Sequence, residues 1–375
     1  PQLVVANTLT TLGQLGAMNR ANFKGTEYGI TGSAGKTTCK GLLHEIVSLS
    51  AETAATAGNF NNEIGVPLTL LALREDQRFA VIEMGARKKG DIAYLMELVR
   101  PDVAILLNAG SAHIDIFGSY ENIVATKGEI FAGLAPEGCG VVNLDDPAAN
   151  EWLRMLGSRK HLCFSMQPGK ADVWSEDIDY FPDRVRFTLC TREQSRQVEV
   201  RIPGIAGVAN SLAAATAALA VGLDFYNIIN GLQNFEPGSG RLQSTQLGQG
   251  TLVIDDSYNA NPASMKAALD VLAIYEQRRI AVLGEMAELG AHAHQAHMAV
   301  AEQASRLGLD AVLLQGPFAE DMAQVIGESA VVVTDKDGLW AALTPLLRGD
   351  EVVLVKGSRC AGLDSLVAQM KEELA

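Results

Sequence analysis

The sequence predicts an α/β protein of two domains, each built on a mainly parallel sheet that is covered by helices. Its 375 residues exceed the size of one ordinary domain. Apolar residues make up 48% of the chain and charged residues 20%, so large buried cores can form and global disorder is excluded. Short apolar, β-branched runs alternate with helical patterns along almost the whole chain, which is typical of parallel sheets buried on both faces.

Several of these runs have the composition of strands that are buried on both faces. In chain order they are residues 79–83, 103–108, 140–143, 252–255, 280–284, 311–315, 330–334 and 351–355. Helical patterns lie between them, the clearest at residues 37–50, 120–134, 208–221, 262–275 and 294–307. The segment 172–202 differs, because apolar and polar residues alternate in it, and this predicts antiparallel strands or a sheet edge.

A Pro- and Gly-rich stretch, FEPGSG at residues 235–240, lies between a predicted helix and a predicted strand. Such stretches are typical of domain boundaries, where few contacts cross. We therefore predict a first domain at residues 1–236 and a second at residues 237–375.

Charge and cysteine usage exclude several classes of protein. The formal net charge of −14 argues against a nucleic-acid backbone as the main partner, although a local basic pocket for phosphate remains open. The longest apolar run, residues 211–223, is Ala-rich and too short for a membrane span, so we expect no membrane insertion. Five cysteines without a CxxC spacing suggest a reducing cytoplasm and no zinc site.

The clearest local motif is YGITGSAGKTT, a glycine-rich sequence that begins at Tyr28 and precedes a predicted helix. Gly32 and Gly35 permit a tight loop whose backbone N–H groups face a phosphate, Lys36 supplies a positive charge, and Thr37 offers Mg²⁺ a hydroxyl. The strict P-loop pattern has a further glycine two residues before Gly32, where this chain has isoleucine, so the match is to a shorter TGxxGKT form. The alternative is a glycine-rich turn with an exposed lysine. The motif predicts a P-loop ATPase-like first domain.

Polar residues follow the next predicted strands. Glu83 ends the run 79–83, at the sheet edge where parallel sheets bind ligands, and its carboxylate suits Mg²⁺, although a strand-end Glu on its own is more often a cap or a solvated residue. His113 lies in a Gly-containing loop after the run 103–108 and can reach the same edge, either as a ligand or as a structural histidine. Lys127 lies on an amphipathic helix, where a lysine in isolation is a solvated surface residue.

The second half repeats this arrangement. The sequence LVIDDSYNANP, residues 252–262, places Asp255, Asp256, Tyr258 and Asn259 where a strand meets a helix. Helix capping by the asparagine that precedes the proline is the alternative, but it explains that residue alone. Further polar groups just past predicted strands occur in VKGSR, residues 355–359, and GEMAELG, residues 284–290.

A series of motifs therefore runs through the chain: TGSAGKTT, TAGNFNNEIGVPLTLL, VIEMGA, ATKGEIF, GRL, DDSYNANP, GEMAELG and VKGSR. In sequence and in order they resemble the motifs of the Mur ligases, and the resemblance covers the whole chain. It implies a central ATP-binding domain with a mostly parallel sheet, a smaller Rossmann-like α/β domain after it, and ATP between the two. DDSYNANP and GEMAELG favour the members that join D-alanyl-D-alanine to UDP-N-acetylmuramoyl-tripeptide in peptidoglycan precursor synthesis.

The resemblance implies amide formation driven by ATP and Mg²⁺ through an acyl phosphate, with small-molecule substrates, a monomeric enzyme and a cytoplasmic location. It also implies that residues 1–23 are a linker and that the family's N-terminal UDP-binding domain is not represented, so we expect Mg·ATP binding with very poor ligation. The alternatives are a Mur-type ligase with another acceptor, and a P-loop regulator that binds nucleotide and ligates nothing.

The resemblance implies roles for individual residues as well. Lys36 would contact the β- and γ-phosphates, Thr37 and Glu83 would bind a first Mg²⁺, and His113 would bind a second. Lys127 is expected to be carbamylated and to join the metal-binding and catalytic groups, because a bare ammonium would repel the metal. The nucleotide is expected to contact the loop residues Gly32, Ser33, Ala34, Gly35, Lys36, Thr37 and Thr38, with Asn210 at adenine, Arg241 at the γ-phosphate as a catalytic group and Asp256 at the ribose. The peptide substrates are expected to contact Asn59, Asn62, Tyr258, Asn259, Lys356, Ser358 and Arg359.

One departure from the family pattern lies near the expected adenine pocket. Relatives usually carry His-Asn shortly before the position of Asn210, and this chain has Ala206 and Gly207 there. Two polar side chains are thereby lost, so we expect a change in nucleotide affinity or specificity.

Overall fold

The chain forms two α/β units, each with its own sheet, and this confirms the predicted fold class. The computed structural model describes Gln2, residues 4–110 and residues 114–374. Within these residues the first sheet has nine strands, which are β1 (Thr26–Thr31), β2 (Thr53–Ala55), β3 (Phe79–Glu83), β4 (Val103–Leu106), β5 (Cys139–Asn143), β6 (Lys160–Ser165), β7 (Val173–Tyr180), β8 (Val185–Thr191) and β9 (Ser195–Val200). Their order is β2-β3-β1-β4-β5-β6-β7-β8-β9. Neighbours are parallel from β2 to β7, and β8 pairs antiparallel with both β7 and β9, as the alternation in residues 172–202 predicts.

Helices cover both faces of this sheet. They are α1 (Thr8–Arg20), α2 (Lys36–Ser48), α3 (Gly65–Leu71), α4 (Asp91–Val99), α5 (Ile114–Phe117), α6 (Tyr120–Ala132), α7 (Ala149–Leu156), α8 (Ile205–Ala220) and α9 (Phe225–Asn234). In β4, Val103 and Ile105 pack in a core with residues of α2, α8 and α9, whereas Ala104 and Leu106 pack in a second core with residues of α4 and α6. Burial on both faces is the reason that the strands are apolar throughout.

The second unit has a six-stranded sheet. Its elements are β10 (Gln243–Gln246), β11 (Leu252–Asp256), α10 (Pro262–Ala273), β12 (Arg278–Leu283), α11 (Ala293–Leu307), β13 (Ala311–Leu314), α12 (Ala319–Ile326), β14 (Ala330–Val332), α13 (Lys336–Leu343), β15 (Glu351–Lys356) and α14 (Asp364–Glu373). The order is β10-β11-β15-β12-β13-β14, and β10 alone runs antiparallel to its neighbour. We propose that the domain division lies at 236/237, between the end of α9 and the start of β10.

Four strands escape the sequence analysis for identifiable reasons. β1 is interrupted by a glycine and runs into the glycine-rich loop, and β2 has only three residues. β6 begins with the polar pair Lys160-His161, and β10 is a polar edge strand of sequence QSTQ. Among the described helices, none is long and apolar enough to cross a membrane.

The glycine-rich loop owes its position to α2, which packs closely on α9. A Cβ at Gly231 of α9 would lie 2.4 Å from the Cα of Ile46 in α2, so the two helices approach at a distance that only glycine allows. The contact fixes the helix that begins at Lys36.

We predict that Gly231→Ala lowers the free energy of unfolding by about 2 kcal/mol, because the added methyl meets backbone atoms and the better helix propensity of alanine offsets only part of this cost. Gly238→Ala is the matched control, since no atom lies within 4 Å of a Cβ there. Chemical denaturation of both variants measures the difference. Equal stability of the two would contradict the close packing of α2 on α9.

Candidate active site

The glycine-rich loop joins the end of β1 to the start of α2. Gly35 has φ +83°, and a Cβ there would lie 2.4 Å from Asn210 Oδ1, so conformation and packing both require glycine. The backbone N–H groups of residues 35–38 donate no hydrogen bond to another backbone group in the described part of the chain. Orphan donors at the positive end of a helix are the arrangement that binds phosphate.

The other side of this loop is held by the residues that follow β4. Asn108 Oδ1 accepts a hydrogen bond from the backbone N–H of Ala34 at 3.0 Å, and its carbonyl oxygen accepts one from Ser33 N–H at 3.1 Å. Gly110 N–H donates to Ser33 Oγ at 2.8 Å. His113 follows shortly after, but it lies outside the described residues, so its metal-binding and catalytic role stays a prediction.

Lys36 and Thr37 present a cation and a hydroxyl at the start of α2. Lys36 Nζ donates to the carbonyl oxygen of Gly32 at 2.7 Å. Burial lowers the pKa of Lys36, and the Glu83 carboxylate acts in the opposite direction. Thr37 Oγ1 donates to Glu83 Oε2 at 2.9 Å, which brings the loop and the end of β3 together as predicted from the sheet edge.

The hydroxyl of Thr37 and the carboxylate of Glu83 form a pair of adjacent oxygen donors. No cluster of three or more His, Cys, Asp or Glu side chains suited to a metal occurs in the described residues. A cation that needs such a cluster therefore does not fit here, whereas Mg²⁺ does, because it is commonly held by one or two protein oxygens together with water and phosphate oxygens.

Lys127 lies on α6 with 2% of its surface exposed. Its ammonium has no hydrogen bond or ion pair within the residues that the structure describes. Burial first, and then the charge of Lys36, hold the pKa of Lys127 well below its usual range. Burial of this kind favours the neutral amine, which is the nucleophilic form of lysine, and this separates Lys127 from the solvated lysine that its helix alone suggests.

On the second sheet, Asp256 and Lys356 end the neighbouring strands β11 and β15 and form a buried ion pair. Lys356 Nζ lies 2.5 Å from Asp256 Oδ2 and donates to the carbonyl oxygen of Asn259 at 2.9 Å. The other carboxylate oxygen of Asp256 accepts from Leu242 N–H at 3.2 Å. Burial raises the pKa of Asp256, and the Lys356 ammonium opposes that shift.

Arg241 and Tyr258 form a second contact beside this pair. The guanidinium carbon of Arg241 lies 4.1 Å from the centroid of the Tyr258 ring, which is a cation–π distance. Asn261 caps α10 in a capping box, so the capping interpretation is confirmed for that residue. The capping box uses neither Tyr258 nor Asn259, so both remain available for contacts in the site.

One cleft of about 780 Å³ brings these groups from both sheets together. It contains most of the site residues predicted from the sequence, namely Gly32, Ser33, Ala34, Gly35, Lys36, Thr37, Thr38, Asn59, Asn62, Glu83, Lys127, Asn210, Arg241, Asp256, Tyr258, Asn259 and Lys356. Ser358 and Arg359 are not among its lining residues. Ser358 is buried and accepts from Ala287 N–H at 2.8 Å, and the exposed Arg359 pairs with Asp364 at 2.9 Å.

Comparison with known proteins identifies the family. Residues 30–218 match the Mur ligase middle domain, and residues 240–359 match the Mur ligase, glutamate ligase domain. The chain is 39% identical to the UDP-N-acetylmuramoyl-tripeptide--D-alanyl-D-alanine ligase of Escherichia coli strain K12, over 99% of this chain and 82% of that protein. The chain belongs to the Mur ligase family.

Solved structures of Mur ligases superpose on almost the whole of this one. A MurF structure from Acinetobacter baumannii has a TM-score of 0.93 at 35% identity and covers 99% of this chain and 82% of its own. A MurF ligase from Thermotoga maritima, solved in complex with ADP, has a TM-score of 0.88 at 29% identity over 99% of this chain and 85% of its own.

Residues 206 and 207, where we expect this Mur ligase to depart from the family pattern, differ in the space around them. A Cβ at Gly207 would lie 2.3 Å from the carbonyl oxygen of Ile202, so the start of α8 leaves no space for a side chain there. Ala206 lines the cleft, and its carbonyl oxygen accepts from Asn210 Nδ2 at 2.9 Å. Position 206 therefore has room for a polar side chain, whereas position 207 does not.

Sequence reasoning missed two residues of this site. Asn61 Nδ2 donates to Glu83 Oε1 at 2.8 Å, whereas Oδ1 of the predicted Asn62 accepts from Gly65 N–H at 2.9 Å, at the start of α3. Lys40 lies 3.5 Å from Glu83 Oε2. Asn61 stands in the motif between the two asparagines that were predicted, and Lys40 follows Lys36 by one helical turn, but neither pattern says which side chain reaches the carboxylate.

We predict that Gly207→Asn lowers the free energy of unfolding by about 1–3 kcal/mol, since its side chain must displace backbone at Ile202. Ala206→His is the control, because that position opens into the cleft, and it is expected to retain the parent stability. Thermal denaturation of both variants, with and without ADP, tests this. A fully stable Gly207→Asn would refute the steric explanation.

Proposed function

We propose that this Mur ligase joins D-alanyl-D-alanine to UDP-N-acetylmuramoyl-tripeptide with the conversion of ATP to ADP and phosphate. The proposal follows the names of relatives, among them the ligase of E. coli and that of Haemophilus influenzae, which is 34% identical over all of this chain and 83% of its own. The observation that carries it is one shared cleft among the described residues, which Lys36, Thr37 and Glu83 line from the first unit and Arg241, Asp256 and Lys356 line from the second.

The reaction needs two transfers. A carboxylate oxygen of the tripeptide attacks the γ-phosphorus of ATP, and ADP leaves with the bridging oxygen. The dipeptide amine then attacks the acyl carbon and loses a proton, and the tetrahedral intermediate expels phosphate to leave the amide. Both steps depend on positioning and on neutralising the charge that develops on phosphate oxygens.

This chain supplies that neutralisation from several directions. The orphan N–H groups at the start of α2 and the ammonium of Lys36 would face the β- and γ-phosphates, and the guanidinium of Arg241 would face the γ-phosphate from the second unit. Thr37 and Glu83 would hold Mg²⁺, which screens the triphosphate charge when bound. His113 would hold a second ion.

The remaining predicted residues bind the ends of the substrates. We place the ribose at Asp256 and the adenine at Asn210, and the ADP named for the T. maritima ligase agrees with a nucleotide in this cleft. We place the muramoyl peptide at Asn59 and Asn62. The incoming dipeptide would meet Tyr258, Asn259 and Lys356 in the cleft. Ser358 would act by holding its loop, and contact of the dipeptide with Arg359 stays a prediction. A cytoplasmic location agrees with five free cysteines.

We propose that Lys127 is carbamylated. Its amine, in the neutral form that burial favours, adds to the carbon of CO₂ and loses a proton, so that a neutral group becomes an anionic oxygen donor. The reason is electrostatic, because the protonated amine beside Lys36 would repel a metal ion.

Phosphate release tests the function. We expect slow release, because ligation by this chain is expected to be very poor, and release that requires ATP, Mg²⁺, the UDP-linked tripeptide and D-alanyl-D-alanine together. The E. coli ligase is the positive control. Release with another amino acid or dipeptide instead would indicate a different acceptor. Nucleotide binding without release under any pairing would indicate a regulator and would contradict the proposal.

We predict that Lys36→Ala folds like the parent but loses about a thousandfold or more in turnover, because its ammonium acts on the transferring phosphoryl group. Circular dichroism checks the fold, and a coupled phosphate assay checks the rate. Near-normal turnover would rule out the assignment.

We predict that Lys127→Ala is inactive and that small carboxylates partly restore its activity, since they can supply the missing oxygen donor. Lys127→Met, which fills the site with an apolar side chain, is the control and should resist rescue. Density for an unmodified amine with both metal ions bound would contradict carbamylation.

A further inference from the structure

Lys40 lies on α2, one turn beyond Lys36, and its side chain is 9% exposed. Its ammonium contacts three oxygen atoms. Nζ lies 2.8 Å from the carbonyl oxygen of Thr56, 3.1 Å from that of Gly58 and 3.5 Å from Glu83 Oε2. A lysine ammonium has three N–H donors, so these contacts account for all of them.

Two of these contacts hold residues 56–62, which we name the asparagine loop and which connect β2 to α3. Lys40 holds the start of the loop, at Thr56 and Gly58. Glu83 holds its far end, because Glu83 Oε1 accepts from Asn61 Nδ2 at 2.8 Å. The cleft is lined by the loop residues Asn59, Asn61 and Asn62.

Lys40 also balances the charge of Glu83. That carboxylate is 2% exposed, and its hydrogen-bond donors Thr37 and Asn61 are neutral. Lys40 is the cation in ion-pair contact with it among the described residues. A buried carboxylate is stable only when its charge is compensated, so one ammonium serves both the loop and the carboxylate.

We propose that Lys40 is a positioning residue for the ligation, which fixes the asparagine loop and the Glu83 carboxylate relative to α2. The inference rests on the proposed function for its kinetic consequence. Lys40 is not among the cleft-lining residues, so it acts through Asn59, Asn61, Asn62 and Glu83 rather than on substrate. Its loss should affect the peptide substrate more than the nucleotide, whose phosphates meet Lys36 and the start of α2.

Hydrogen exchange tests the tie to the loop without any turnover. The N–H groups of Thr56 and Phe60 bond to the carbonyl oxygens of Val81 and Ala57, both at 3.0 Å, and report on the loop. In Lys40→Met they should exchange about tenfold faster or more, while amides of α8 change less than twofold. Lys24→Met, at an exposed lysine, is the matched control and should leave both unchanged. Unchanged exchange in Lys40→Met would overturn the proposal.

Steady-state kinetics tests the consequence for the reaction. In Lys40→Met we expect the KM for the UDP-linked tripeptide to rise and kcat to fall by about tenfold or more, with the KM for ATP changing less than threefold. Lys40→Arg keeps the charge and the donors and should recover most of the loss. A KM for the tripeptide within twofold of the parent, or an equal rise in both KM values together with a lower melting temperature, would overturn the proposal.

Two further controls keep the result decisive. If Lys40→Met fails to fold, Lys40→Gln is measured against the same thresholds, because it keeps amide donors but lacks the charge. If the parent chain releases no phosphate with its substrates, the proposed function fails, and the exchange of the Thr56 and Phe60 amides still decides whether Lys40 fixes the loop.

Discussion

The carboxylate of Glu83 is buried at the end of β3, and a buried charge must be compensated by nearby partners. Its partners come from two other segments of the chain. Thr37 and Lys40 belong to α2, and Asn61 belongs to the asparagine loop. Satisfying this one carboxylate therefore places the glycine-rich loop, the helix that follows it and the asparagine loop around a common point, and the other features of the cleft are arranged about it.

The two mainly parallel sheets bring further polar and charged residues to the same cleft. In the first sheet Ile30 of β1 is in register with Glu83, and Thr31 with Leu106 of β4, so the polar residues after these strands leave at one edge. In the second sheet Asp256 of β11 is in register with Lys356 of β15. Each sheet therefore delivers charged side chains at the carboxyl ends of its strands, and the cleft lies where the two edges meet.

The sequence patterns predict most strands of the two sheets, several of their helices and the glycine-rich loop, because buried parallel strands are apolar throughout and glycine-rich loops have a distinctive composition. Other cleft residues, such as Asn59, Asn210 and Arg241, follow from the resemblance to the Mur ligases alone. The prediction for residues 79–83 matches β3. It fails where strand character depends on tertiary pairing, as in the polar edge strand β10, whose hydrogen bonds to β11 determine its conformation. The sequence pattern also does not predict the direction in which a side chain points. Three asparagines close together look alike in sequence, yet Asn61 bonds to Glu83 while Asn62 bonds to the backbone N–H of Gly65.

The burial of Lys127 also could not be predicted from the pattern of its helix. Its helix predicts a solvated surface lysine, and only the resemblance to a family indicates more. The structure supplies the physical reason, since α6 buries this amine beside the cleft and burial lowers its pKa. Local patterns give the residue type and its face on the helix, whereas its environment comes from segments far away in the chain.

In the proposed reaction, this cleft transfers the γ-phosphoryl group of ATP to a carboxylate before the amide forms. Transfer of ¹⁸O from the carboxylate to phosphate reports on that step. With a tripeptide whose terminal carboxylate carries ¹⁸O in both positions, we expect one ¹⁸O per turnover in the released phosphate and the other in the amide carbonyl, measured by mass spectrometry. Phosphate that carries no ¹⁸O while the amide forms would contradict an acyl-phosphate intermediate and the phosphoryl transfer proposed for this cleft.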